Sequence, residues 1–161
     1  MYTNVTVKQI LERKGYKIWS LDPDTLVLDA LRYMAEKNIG AVVVIKDNNP
    51  VGIFSERDYA RKVALSGKNE RDTMIKEVMT RQVIAVELNS GIDACLALMT
   101  GKFIRHLPVV NDEHKIVGVI SIGDVVKELV ADQEFVIDQL VHYISGEPTK
   151  PTVSTPSHVE L

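Results

Sequence analysis

The 161-residue chain has little of several things, and each shortage narrows what it can be. It carries one cysteine, Cys95. That excludes an intrachain disulfide and a cysteine-based zinc cluster, and it suits a reducing compartment. It lacks a long apolar run: Ala41 to Ile45 falls far short of the roughly 20 residues that a membrane-spanning helix needs. Its opening, MYTNVTVKQIL, has no charged head followed by an apolar stretch, so no signal peptide is expected and a cytoplasmic location is. It has no large excess of either charge. Nineteen Lys and Arg face 22 Asp and Glu, a net charge of −3. That balance disfavours a broad basic surface for nucleic acid, so any phosphate site has to be local. No GxxxxGK[ST], GxGxxG or GxSxG motif is present. The four histidines, His106, His114, His142 and His158, make no metal-ligand spacing with a carboxylate or the cysteine, so no metal is expected. Cys95 falls on the apolar face of a helical pattern and reads as packing rather than as a nucleophile. The chain is therefore read as a non-enzyme without a catalytic cofactor.

What remains is an ordinary globular composition, 45% hydrophobic and 25% charged, with an internal repeat. Met34, Lys37 and Ile39 recur 65 positions later as Met99, Lys102 and Ile104. Val44 and Asp47 recur as Val109 and Asp112. The offset then becomes 66, with Val51, Gly52, Ser55 and Asp58 matching Val117, Gly118, Ser121 and Asp124. The slip falls between Asp47-Asn48-Asn49-Pro50 and Asn111-Asp112-Glu113-His114-Lys115, turn-rich segments where an extra residue is tolerated.

Each copy reads as strand, helix, strand, strand, helix. Ile18–Leu21 and Val83–Val86 suit short strands. Val27, Leu31, Met34 and Ala35, and then Ile92, Leu96 and Met99, follow helical spacing. Ala41–Ile45 with Val51–Phe54, and Leu107–Val110 with Ile116–Ile120, make two hairpins, and helices start near Glu56 and Ile122. Thr6–Lys14 and Asp72–Met79 read as lead-in helices, and Gly67–Arg71 as the connector. The expected division is a first repeat over 5–67, a second over 72–131, a C-terminal helix over 132–145 with apolar Val136, Leu140, Val141 and Ile144, and a mobile tail over 146–161. A unit of about 60 residues buries little alone, so the two should pack sheet to sheet.

At the last strand-to-helix junction each copy carries Gly-x-x-Ser-x-x-Asp: Gly52-Ile53-Phe54-Ser55-Glu56-Arg57-Asp58 and Gly118-Val119-Ile120-Ser121-Ile122-Gly123-Asp124. A serine at a helix start can donate to a phosphate where the first-turn amides and the helix dipole also favour an anion. An ionised aspartate can take both hydrogen bonds of a ribose diol. A strand glycine lets a ligand lie against the backbone. The competing reading is a capping box, in which serine and acid satisfy the helix's own amides. The duplication and the upstream glycines favour a ligand.

These two heptapeptides, with Val78-Met79-Thr80 ahead of the second copy and Arg105-His106-Leu107-Pro108-Val109-Val110, resemble a tandem pair of CBS domains (cystathionine-β-synthase repeats), or Bateman module, over residues 5–131. The resemblance implies an α/β (α+β) fold of two β-α-β-β-α repeats related by a pseudo-two-fold axis, with an additional C-terminal helix. It implies a sensor that binds AMP, ATP, NAD or a similar adenosyl compound in clefts between the repeats. It also implies a homodimer of four repeats in a disc, with occupancy signalled to a separate partner.

Candidate ligand-binding residues are Gly52, Ser55, Arg57 and Asp58 in the first copy and Gly118, Ser121 and Asp124 in the second, with Arg105, His106 and Pro108 at one strand and Met79, Thr80 and Ile84 leading into it. Trp19, where the second copy has Ile84, is placed to stack on adenine or to serve the core. Arg57 has no arginine counterpart in the second copy, where Gly123 stands, and Arg105 has none in the first, where Gly40 stands. Each cleft is therefore expected to draw its phosphate-binding cation from a different element, giving two non-equivalent sites. The alternative is a protein-interaction module whose Ser-x-x-Asp motifs are only caps.

Overall fold

A computed structural model describes residues 3–145; the expected tail over 146–161 lies outside the described residues. The elements are α1 (Val7–Lys14), β1 (Ser20–Leu21), α2 (Val27–Lys37), β2 (Ala41–Lys46), β3 (Asn49–Ser55), α3 (Glu56–Asp58), β4 (Val86–Glu87), α4 (Ile92–Lys102), β5 (His106–Val110), β6 (Ile116–Ser121) and α5 (Ile122–Ser145). A π-helical turn, Tyr59–Ala64, continues α3, and Ile75–Glu77 is a single 3-10 turn.

Two three-stranded sheets have the same topology, β1-β2-β3 and β4-β5-β6. In each, a two-residue strand pairs parallel to the central strand, and a hairpin supplies the antiparallel third. Both hairpins carry a register shift at matched places, Val44/Ile45 and Val109/Val110, so the repeat extends to its irregularities. Alternation sets the two faces of each sheet. Val42, Val44 and Phe54 enter one core with Val27, Ala30 and Met34 of α2. Leu107, Val109 and Ile120 enter the other with Ile92, Cys95 and Met99 of α4. Val43, buried but in neither cluster, faces the space between the repeats with Ile53 and Val119.

The two lead-in segments cross over. α1 precedes the first repeat in sequence, yet Val7, Ile10 and Leu11 are fully buried or nearly so in the second core. The Val7 and Lys8 amides donate to the Ser90 and Leu88 carbonyls, and the Ile92 amide at the start of α4 donates to the Val5 carbonyl. Conversely, Ile75, Val78 and Met79 join the first core, and the Val27 and Leu28 amides of α2 donate to the Thr73 and Glu70 carbonyls. Neither α2 nor α4 has a side-chain cap. Otherwise orphaned first-turn amides of both are satisfied by backbone of the crossing segments, Glu70 and Thr73 for α2 and Val5 for α4.

This crossing corrects the role given to the strand glycines. A Cβ on Gly52 would lie 2.6 Å from Met79 Sδ and 3.0 Å from the Thr80 carbonyl, and one on Gly118 would lie 2.8 Å from Leu11 Cδ1. Both glycines admit the crossing segments, so the close approach they allow is that of Met79, Thr80 and Leu11. The expected C-terminal helix is present but is no separate element: residues 132–145 continue α5 without a break from Ile122.

Candidate functional site

Ser55 and Ser121 end their strands in extended conformation and start the following helices. Both capping boxes are complete. The Asp58 amide donates to Ser55 Oγ at 3.2 Å and the Ser55 amide to Asp58 Oδ2 at 3.0 Å. The Asp124 amide donates to Ser121 Oγ at 3.2 Å and the Ser121 amide to Asp124 Oδ2 at 2.8 Å. Capping explains the spacing, but it leaves carboxylate oxygen free for further partners, and there the repeats diverge.

Asp58 is nearly buried at 8% exposure. Its Oδ1 accepts from Thr80 Oγ1 at 3.1 Å and pairs with Lys62 Nζ at 2.8 Å. Thr80 is held there because its strand bridge to Ile53 brings the crossing segment alongside β3. Asp124 instead pairs with Lys14 Nζ at 2.6 Å, a residue of α1 that also donates to the Val119 carbonyl. Burial pulls the Asp124 carboxyl upward, but the Lys14 ammonium and the Ser121 amide outweigh it and hold the group below the usual aspartate value.

Two clefts open between the repeats. The first, about 550 Å³, takes Ser55, Glu56, Arg57, Asp58, Arg61 and Lys62 from the first repeat, Thr80, Gln82 and Ile84 from the crossing strand, and Lys102 to His106 from the second repeat. Five of these are lysines or arginines. Arg57 Nη1 donates to the Phe103 carbonyl at 2.7 Å and so ties the two repeats together across the cleft. The second, about 450 Å³, takes Lys14, Lys17 and Trp19 from the crossing segment, Asn38 to Val43 from the first repeat, and Val119 and Ser121 from the second. Lys17 and Lys37 stand over the Trp19 ring at 4.1 and 5.1 Å, and Tyr33 meets it edge-on. Both clefts fall in the size range of small-molecule sites.

His106 lines both clefts. Burial lowers its pKa from the ordinary histidine value, with Lys14 and Arg105 adding to the effect and Asp124 opposing it, so the surroundings favour the neutral ring. Cys95 is buried, and that burial pushes its thiol up to about 11, consistent with a packing role.

Of the residues singled out from the sequence, Ser55, Arg57, Asp58, Thr80, Ile84, Arg105 and His106 meet at the first cleft, and Trp19 and Ser121 at the second. Asp124 reaches the second through Lys14. Gly52, Gly118, Met79 and Pro108 are packing positions: Met79 rests on Gly52, Leu11 on Gly118, and Pro108 is buried opposite Val119. The expectation that Arg57 and Arg105 serve different clefts is corrected. Each cleft combines the motif of one repeat with the second-strand entrance of the other, so both arginines line the first.

Sequence reasoning missed Arg61, Lys62, Lys102 and Phe103. The signal for Phe103 was there: it stands where the first copy has Asn38, and both residues are left-handed, φ 55° and 52°. Asparagine tolerates that conformation and phenylalanine is an outlier in it. Phe103 is 77% exposed and lines the first cleft.

Known proteins resemble the chain along most of its length. The model of the CBS domain matches twice, over residues 7–65 and 75–131. CBSX3, a mitochondrial CBS domain-containing protein of Arabidopsis thaliana, is 34% identical over 155 residues, covering 90% of this chain and 74% of that protein. The crystal structure of the CBS-domain containing protein ATU1752 of Agrobacterium tumefaciens is 38% identical, with a TM-score of 0.74, covering 77% of this chain and 98% of that one. The CBS domain pair of MJ0100, crystallised with 5′-methylthioadenosine and S-adenosyl-L-methionine, shares the fold at 24% identity, with a TM-score of 0.70 over 80% of this chain and 98% of that one.

Proposed function

The chain belongs to the CBS-domain family, whose paired domains are generally regulatory modules, and from that premise we propose that it senses adenosyl compounds in its two clefts and passes occupancy to a separate partner protein through conformation or assembly. The observation that carries this reading is the first cleft, where a Ser-x-x-Asp helix start is ringed by Arg57, Arg61, Lys62, Lys102 and Arg105. Serine and first-turn amides suit phosphate, the aspartate suits a ribose diol, and five cations suit more than one phosphate group. We assign a polyphosphate such as ATP to this cleft. NAD, also a candidate from the sequence, carries less phosphate charge and suits it less well. The second cleft, with two lysines beside Trp19, suits AMP or a less charged adenosyl compound whose base stacks on the indole. That a CBS pair of this fold was crystallised with two adenosyl compounds agrees with such a preference. Ligand binding needs no catalytic cofactor, and the chain acts as a homodimer. The single thiol suits a reducing cytoplasm.

A ribose diol at either aspartate has to displace its present partner, Thr80 with Lys62 in one cleft and Lys14 in the other. Differential affinity of this kind is what lets a ligand shift a conformation. Thermal-shift and calorimetric titration with ATP, AMP, NAD and S-adenosyl-methionine tests the assignment. Asp58→Ala should remove the ATP signal, and Asp124→Ala should remove the signal of the less charged ligand, each by about 100-fold or more. The complete capping boxes favour one rival, a protein-interaction module whose motifs only cap helices. Under it, no ligand raises the melting temperature and each Asp→Ala costs about 1 kcal/mol of stability.

A further inference from the structure

α5 is longer than its repeat requires. Its first turns are anchored by Ile122, Val125 and Leu129 in the second core and by Arg13 and Lys14 of α1, which pair with Glu128 and Asp124. Beyond Leu129, no residue of α5 joins a core cluster. The helix nevertheless continues for 16 residues, about 24 Å. Along it, large apolar side chains stand in solvent: Val126 and Val130 at 45% and 50% exposure, Ile137 and Leu140 at 59% and 56%, and Ile144 at 82%.

These five, with Gln133 between them, are spaced 4-3-4-3-4, the interval at which a helix presents one seam to another helix. Val136, Val141 and Tyr143 widen the seam. The exposed surface of these eight apolar residues is roughly 800 Å². That exceeds what monomers usually leave open and reaches the roughly 800 Å² per partner of a stable interface. Residues 146–161 hold three prolines and, as large apolar side chains, only Val153, Val159 and Leu161, too few to cover the seam. Asp132, Glu134 and Asp138, with no lysine or arginine between Lys127 and the end of α5 at Ser145, make this half acidic. Helices that lie on anionic membranes carry the opposite charge.

We infer that the occupant is a second copy of α5. The seam has the same spacing read from either end, so it can meet its own copy across a two-fold axis, as isologous dimers do. This deepens the homodimer part of the proposed function and rests on it. It adds that the dimer is held by the helix whose first turn contains Asp124, so the second cleft and the dimer contact share one rigid element.

Sedimentation equilibrium of the full chain tests the inference. The expected mass is twice 18.0 kDa for the wild-type chain and 18.0 kDa for Ile137→Glu/Leu140→Glu, with helical circular dichroism and the adenosyl-ligand melting shift retained. Leu65→Glu, at an 83% exposed apolar position away from α5, should leave the dimer intact. Should the double variant lose helicity, Ile144→Lys alone carries the same expectation as a tenfold or greater weakening of the dimer. A monomeric wild-type chain, including one that floats with anionic vesicles, overturns the inference. So does a folded α5 variant that remains dimeric. Loss of every ligand signal with the α5 effect intact would instead overturn the sensor reading and leave the interface standing.

Discussion

The two clefts are built by one rule and filled differently. Each takes a Ser-x-x-Asp helix start from one repeat, a second-strand entrance from the other, and a crossing segment between them. At matched positions the first cleft has Gln82, Ile84, Phe103, Arg105 and His106 where the second has Lys17, Trp19, Asn38, Gly40 and Ala41. The aspartates differ in reach as well as in surroundings. Asp58 is held by Lys62, on the turn that follows it, and by Thr80. Asp124 is held by Lys14, 110 residues away on the segment that closes the second core. Duplication fixes where backbone polar groups point, because strand pairing and capping are common to both copies. Side chains at the pseudo-symmetric positions are then free to set charge and stacking separately. On this view the first cleft is a local phosphate site, and the second is wired to α1 and α5.

The strongest way to break that division is to press on the crossing segments. Gly52→Val should drive Met79 and Thr80 off β3, and Gly118→Val should drive Leu11, and with it α1, off β6. Overpacking a filled core costs about 1–3 kcal/mol, so each variant should lower the unfolding free energy by that much, read as a lower urea midpoint at an unchanged slope. The ligand effects should separate. Gly52→Val moves Thr80 away from Asp58 and weakens the first-cleft ligand, whereas Gly118→Val moves Lys14 away from Asp124 and weakens the second-cleft ligand. Equal losses at both clefts in either variant would mean that the crossing segments do not govern the clefts one by one.

The glycines also show how far the sequence could be read. The repeat, its hairpins and the helix starts at Ser55 and Ser121 were legible, because β-branched runs, turn residues and the Ser-x-x-Asp spacing act within a few residues of themselves. The glycines were noticed for the right reason, close approach, but the approaching group was misjudged. Their neighbours Met79 and Leu11 lie 27 residues ahead and 107 residues behind, and no local pattern names them. Arg57 and Arg105 do line a cleft, but the same one, where the sequence assigned them to separate clefts. Adding the motif of one copy to the strand of the other needs the two-fold relation, which only packing supplies. The length of α5 was hidden because its apolar spacing serves the core only as far as Leu129 and then runs on along a face that packs on neither core.

A smaller effect separates the copies at the ends of α2 and α4. An L-residue in the left-handed region costs roughly 1–2 kcal/mol, and asparagine bears it better than phenylalanine. Because Phe103 buries little, Phe103→Asn should stabilise the chain by about 1 kcal/mol in urea unfolding, and Asn38→Phe should destabilise it by a similar amount. If Phe103 is kept for the first-cleft ligand, Phe103→Asn trades affinity there for stability and leaves the second cleft untouched. Unchanged first-cleft affinity would make the phenylalanine a strained cap without a role in binding.

The smallest expected effect tests whether the clefts are independent at the titratable residue among the three they share, Gly40, Ile53 and His106. His106 lines both, and its counterpart Ala41 does not titrate. Burial, followed by Lys14 and Arg105, lowers its pKa in the folded chain, so between the ordinary value of 6.5 and the folded value the unfolded chain binds more protons. Its contribution to stability is thus complete above pH 6.5 and falls as pH drops through that window. The Asp124 contribution is lost only lower, as pH falls from its ordinary value of 3.8 toward its depressed folded value, so the two windows stay apart. His106→Ala should flatten the urea midpoint between pH 7 and pH 5 and leave the acid limb. A phosphate beside the ring favours the imidazolium and reverses the sign for binding, so the ligand whose phosphate sits nearest His106 should bind more tightly as pH falls toward 6. If the ATP affinity strengthens in this way and that of the second-cleft ligand does not, His106 belongs in function to the first cleft alone; strengthening of both would join the two sites through one proton.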